Sequence, residues 1–241
     1  MFKIIFVIGI MGKGGAERAI SAISNELIKR NFKIEIITIY GNRQDYYLDG
    51  RIKLCPVICK KKFKLLRPFE RIICLRKMIK SSNPDVVISF LADVNIHTII
   101  SMSKLSTPLI VSERNDPRQD PEYFWQRKMR DILYKKVAGF VFQTEDAANY
   151  FKDIISKNSK QTIIPNPLTP NLPAYDYSID NMRLITACRL NPQKNLKMMI
   201  DAVEIVRKKG ILCSLDIYGQ GPLQKELEEY ILKNNCAEYI T

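Results

Sequence analysis

Three short runs in the chain join glycine or cationic residues to polar neighbours in spacings that suit an anionic, phosphate-bearing ligand. The first, Gly12-Lys13-Gly14-Gly15-Ala16-Glu17-Arg18, follows an apolar run and opens a helical pattern. Adjacent glycines let the backbone approach a ligand, and the free N–H groups of a helix start favour an anion. The helix dipole adds only ~0.3–1 kcal/mol. Several backbone donors to a charged oxygen, at ~1.5–3 kcal/mol each, matter more. Glu17 stands where a dinucleotide fingerprint needs its third glycine, so Gly14 and Gly15 suit either a ligand turn or a plain tight turn. The second run, Ser112-Glu113-Arg114-Asn115-Asp116-Pro117-Arg118, leaves the carboxyl end of an apolar stretch, where open α/β sheets bind ligands; a solvated loop is the alternative. The third runs from Arg189 to Asn195. Arg189 supplies a fork of donors and Lys194 a point charge beside a helix start, an arrangement that suits a diphosphate and that ordinary loops also show. Gly219-Gln220-Gly221-Pro222 is a turn signal first and a ligand loop second.

These runs need a scaffold, and the apolar pattern supplies one. Short continuous β-branched stretches occur at 3–9, 33–40, 85–90, 108–112, 139–143, 161–165, 183–188 and 214–219. Continuous rather than alternating hydrophobicity means that both faces are covered, as in a parallel sheet between helices. Helix-length patterns lie between them at 15–30, 67–80, 123–136, 145–156, 195–208 and 223–234. The fold class is therefore α/β, a Rossmann-like doubly wound sheet, with a second and partial Rossmann-like domain. The proline-rich stretch 166–180 reads as an interdomain linker, giving domains at 1–165 and 181–241. Residues 237–241 resemble a strand just beginning.

Composition narrows the class. The chain has 241 residues, 46% hydrophobic and 26% charged, which excludes disorder. No apolar run approaches the ~18–20 residues of a spanning helix, and a cytoplasmic location is expected. Six cysteines without a Cys-x-x-Cys pair read as reduced thiols, and the lone His97 as a structural histidine, so no metal site and no Ser-His-Asp triad is expected. The net charge of +13 is uneven: residues 51–80 hold 11 basic residues against the single acid Glu70. Such a patch implies an anionic partner. Nucleic acid ranks last, because the stretch lacks interleaved aromatics. In the helix expected at 67–80, Phe69, Ile72, Ile73 and Ile79 fall near one face, with Arg67, Arg71, Lys77 and Lys80 largely elsewhere. With Lys60, Lys61, Lys62 and Lys64 just before it, residues 60–80 are expected to meet an anionic membrane surface; an ordinary amphipathic helix is the alternative.

The motifs in order resemble the family-4, GT-B glycosyltransferases, and most closely the bacterial enzymes that extend lipid-linked oligosaccharides or surface polysaccharides. The resemblance is carried by Gly14-Gly15-Ala16-Glu17-Arg18, Ile88-Ser89-Phe90-Leu91, Pro108 to Asn115, Pro165-Asn166-Pro167, Arg189-Leu190 with Lys194-Asn195, and Tyr218 to Pro222. It implies a retaining transfer of a hexose or N-acetylhexosamine from a nucleotide-diphosphate sugar to a lipid-linked or polysaccharide acceptor, without cofactor or metal, at the inner face of the cell membrane. Gly14, Gly15 and Glu17 would face the interdomain cleft; Arg189 and Lys194 would hold the donor diphosphate, with Asn115 and Gly219 beside the substrates. The resemblance identifies no catalytic residue. Arg114 stands where many relatives carry a histidine, and arginine can act there only electrostatically. The family's acidic Glu-x7-Glu segment has no counterpart here, which implies a truncated chain, inactive alone. The alternatives are the non-catalytic acceptor- and membrane-binding half of a split glycosyltransferase, an inactive remnant, and a basic nucleic-acid-binding protein.

Overall fold

The computed structural model describes residues 1–59, 66–168 and 182–241; the lysine cluster at 60–64 and residues 169–180 of the expected linker lie outside them. The chain forms two compact units, Met1–Thr169 and Pro170–Thr241.

The first unit is built on seven strands: β1 (Lys3–Ile8), β2 (Lys33–Thr38), β3 (Lys53–Pro56), β4 (Val86–Phe90), β5 (Leu109–Ser112), β6 (Gly139–Phe142) and β7 (Lys160–Ile163). They pair in the order β3-β2-β1-β4-β5-β6-β7, every pair parallel. Strand β1 shows why: Ile5 and Val7 enter one core, and Ile4, Phe6 and Ile8 the other. Helix α1 (Gly15–Lys29) covers the second core. Helices α2 (Arg67–Ser82), α3 (Ala92–Ser101), α4 (Phe124–Tyr134) and α5 (Glu145–Phe151) cover the first. Strand β3 escapes the apolar pattern because it is a four-residue edge strand, half-buried, and ends at Pro56, which an edge tolerates.

The expected face of α2 needs correction. Leu75 and Ile79 are its buried residues, whereas Phe69 and Ile73 are 66% and 54% exposed. Its arginines partly turn inward: Arg71 lies 4.8 Å over the Tyr40 ring, and Arg76 donates to the carbonyls of Ser101 and Ser103 at 2.9 and 2.7 Å. Periodicity alone could not see that α3 lies alongside and takes the flank at Leu75 and Ile79.

The second unit pairs β8 (Arg183–Ala187) with β9 (Ser214–Tyr218) in parallel, with α6 (Leu196–Lys208) and α7 (Gln224–Lys233) packed on them. The segment at 237–241 joins β9 through Leu215 N–H to Tyr239 C=O at 2.8 Å and Thr241 N–H to Leu215 C=O at 3.0 Å.

Candidate functional site

In the first unit the chain leaves β1 and β4 toward opposite ends of the sheet, so the crevice at their carboxyl ends is where an open α/β sheet binds ligands. Parallel pairing brings the glycine turn after β1, Leu91 after β4 and Arg114 after β5 to this one edge. Leu91 takes φ 77°, a costly conformation for a branched residue, held by its N–H to Ser112 C=O at 3.2 Å.

At the turn, Gly14 caps α1 with extended backbone and no side-chain cap. Glu17, three residues on, folds its carboxylate back so that a Cβ on Gly14 would collide with it. The positive start of α1 thus already faces a carboxylate of its own chain. That disfavours a phosphate at this turn and suits sugar hydroxyls, which a carboxylate accepts from.

Arg114 stacks 5.1 Å over Phe90 and donates to Asn166 Oδ1 at 2.6 Å. Its Nε is buried without a partner, and burial lowers its pKa. Arg18 donates to Pro167 C=O at 2.9 Å, so the segment after β7 is tied to the same edge twice. Asn115 turns inside its own loop to Asp120, 3.2 Å away.

Beneath this loop lies a buried polar network that the motif reading passed over. Glu113 is 1% exposed; its Oε1 accepts from Tyr134 and from Asn95 Nδ2 at 3.2 Å, while Oε2 has no partner. Asn95 in turn accepts from Ser89 at 2.7 Å. Burial pushes the Glu113 carboxyl up to about 7, against the opposing pull of the Tyr134 hydroxyl and Arg130. Arg130, fully buried, donates to the carbonyls of Pro117 and Asp120 at 2.9 and 2.5 Å and to Asp131 at 2.9 Å, fastening the loop that carries Arg114 and Asn115. The one available signal was Asn95 inside the largely apolar helical pattern at 92–101; Arg130 sits among other polar residues and gave none. His97 is satisfied one turn back, 2.8 Å from the Asp93 carbonyl.

In the second unit, Arg189 and Lys194 are both exposed in the loop from β8 to α6, which passes through a single 3-10 turn at Pro192–Lys194. Gly219 serves packing: a Cβ there would strike the Cys188 carbonyl, as one on Gly221 would strike the Leu190 backbone. The two loops zip together through Cys188 N–H to Tyr218 C=O at 2.9 Å and Leu190 N–H to Gln220 C=O at 3.0 Å. Gly219 therefore fixes where the Arg189 loop stands. Among the described residues no group of three or more His, Cys, Asp or Glu side chains could hold a metal ion.

Parallel α/β units with polar loops at the carboxyl ends of their strands are the architecture of GT-B glycosyltransferases. The lipopolysaccharide outer core galactosyltransferase WaaB in its apo form aligns with a TM-score of 0.70 at 15% identity, over 100% of this chain and 67% of that one. Anabaena HepE in complex with UDP and glucose aligns at 0.72 and 14% identity, over 100% and 68%. Residues 13–172 match Glycosyltransferase Family 4, and the chain belongs to that family. It is 29% identical over 237 residues to a Campylobacter jejuni protein named GalNAc-alpha-(1->4)-GalNAc-alpha-(1->3)-diNAcBac-PP-undecaprenol alpha-1,4-N-acetyl-D-galactosaminyltransferase, covering 95% of this chain and 64% of that one. It is 26% identical over 257 residues to the amylovoran biosynthesis glycosyltransferase AmsD of Erwinia amylovora, covering 99% and 68%. The chain thus spans less than two thirds of the first of these relatives. Among the described residues, no helix is long and apolar enough to cross a membrane.

Proposed function

We propose that the protein transfers a hexose or N-acetylhexosamine, with retention, from a nucleotide-diphosphate sugar to a lipid-linked or polysaccharide acceptor at the inner face of the cell membrane. The observation that carries this reading is the family match over residues 13–172, which spans the glycine turn and the Arg114 loop. The Campylobacter relative is named for a lipid-linked acceptor, the Erwinia relative for polysaccharide synthesis, and the Anabaena neighbour holds UDP and glucose. All three support the substrate classes.

In this reading residues 1–165 form the acceptor side, 166–180 the linker and 181–241 the start of the donor side. Gly14, Gly15 and Glu17 line the acceptor; Arg114 contributes charge only, and Asn115 shapes its loop. Arg189 and Lys194 meet the growing negative charge on the leaving diphosphate, which departs readily only against preorganised cations. Residues 60–80 face anionic lipid. Since the chain spans 64% of its Campylobacter relative, residues 1–241 by themselves are expected to bind substrate without turnover.

The test is a panel of nucleotide sugars with a polyprenyl-diphosphate glycan, given to residues 1–241 and to the protein extended over the relatives' remaining length. The extended protein should transfer sugar. In it, Arg189→Ala and Lys194→Ala should each lose about 2–4 kcal/mol of transition-state stabilisation, visible in kcat as well as KM. Near-native kinetics in both variants would remove these residues from the site, and ordinary turnover by residues 1–241 would overturn the need for more chain.

A further inference from the structure

Helix α4 turns the wrong side outward. A helix packed on a sheet ordinarily shows solvent its polar face. Here the fully buried residues are Arg130 and Tyr134, with Leu133 half-buried against the core, while Tyr123, Phe124, Trp125 and Ile132 are 58%, 66%, 61% and 62% exposed. Trp125, Lys128 and Ile132 are spaced three and four residues apart, so they form one outward stripe. Lys128 Nζ lies 5.4 Å over the Phe124 ring, and the Tyr123 and Trp125 rings stack 6.4 Å apart. The surrounding charge is basic: residues 123–136 hold five Lys or Arg against Asp131, which Arg130 already engages, and Glu122 is the acid just before the patch.

We propose that the first turn of α4 is a membrane anchor, seating Phe124 and Trp125 in the headgroup region of an anionic bilayer. Aromatic rings beside cations suit that layer, where apolar bodies enter and charges meet lipid phosphates. A second copy of the chain is a poor occupant, because net +13 meets net +13. A glycan platform fits less well, since Tyr123, Phe124 and Trp125 stand more than half exposed at a helix start instead of lining a concave site. Helix α2 flanks α3 on the same face of the sheet, and its outward Phe69 and Ile73 stand above Lys77 and Lys80. The inference rests on the membrane reading given for residues 60–80 and adds to it a separate apolar foothold.

Trp125 is the only tryptophan in residues 1–241, so in that chain its emission reports this turn directly. With vesicles of mixed phosphatidylglycerol and phosphatidylcholine, emission should shift to the blue, be quenched by brominated acyl chains and be shielded from aqueous acrylamide. The double variant Phe124→Ser, Trp125→Ser should sediment with those vesicles about tenfold less well. Both positions are exposed, and an unchanged thermal midpoint checks the fold of the variant. Sedimentation with Trp125 still open to acrylamide overturns the anchor and leaves the membrane reading of residues 60–80 standing. No sedimentation at all overturns both. A blue shift caused by a soluble glycan without vesicles assigns the turn to sugar, and one that tracks protein concentration alone assigns it to a second copy.

Discussion

Strands β1 and β8 read alike as sequence, Lys-Ile-Ile-Phe-Val-Ile and Arg-Leu-Ile-Thr-Ala, yet they live in different surroundings. In β1 five of six residues are buried, with a core on each side. In β8 Leu184 and Ile185 are 49% and 65% exposed. An apolar run states that a strand forms; it does not state what covers it. The charged groups divide the same way. The first unit holds Glu113 and Arg130 in the dark and uses them to set a loop, whereas Arg189 and Lys194 stand in solvent on a loop fixed by glycines. The first unit fixes its charged groups by burial, and the second presents its candidate cations at the surface.

The largest test of that contrast is Arg130→Met. It leaves the Pro117 and Asp120 carbonyls without their donor and Asp131 without its partner, all next to the core. Removing one member of such a buried set costs about 3–5 kcal/mol, read as a lowered urea midpoint. A loss under about 1 kcal/mol would mean that the loop is held from elsewhere.

Next comes a matched pair of strand substitutions. Ile5→Ala, at 0% exposure, should cost about 2–5 kcal/mol, while Ile185→Ala should stay within about 0.5 kcal/mol. Equal costs would erase the difference between the units. The pair also shows how much of the molecule was legible in sequence. The eight apolar runs each became a strand because β-branched continuity is a local signal. Strand β3 was missed because Lys53–Pro56 takes its place only by pairing with β2. The outward turn of Phe69 was missed because helical spacing locates a stripe, but the neighbour that covers one side is chosen by the sheet. The candidate residues Gly14, Arg114, Arg189 and Lys194 stand out in the sequence by residue type. Glu113, Asn95, Tyr134 and Arg130 come from the loop after β5 and two helices, up to 39 positions apart, and only folding brings them together.

The smallest effect concerns Glu113 and is read between pH 6 and pH 8. The groups facing it are the Tyr134 hydroxyl and Arg130 from α4, Asp120 from the loop, and neutral Asn95 from α3. Burial raises the carboxyl from 4.5 to about 7. Between those values the folded protein keeps a proton that the unfolded chain has already released, so unfolding loses protons and stability falls as pH rises. Crossing from pH 6 to pH 8 takes the folded carboxyl through its whole titration, worth about 1.4 kcal/mol against an unfolded carboxylate that stays ionised throughout. Glu113→Gln keeps the shape and the acceptor for Tyr134 but has nothing to titrate. Relative to the parent, the variant should gain about that amount between the two pH values, every other titrating group cancelling in the difference. Urea midpoints at both pH values measure it. A parent-to-variant difference that stays constant with pH would show that Glu113 is ionised throughout, and that the carboxylate, charged and buried, is held by Arg130 more strongly than its surroundings resist it.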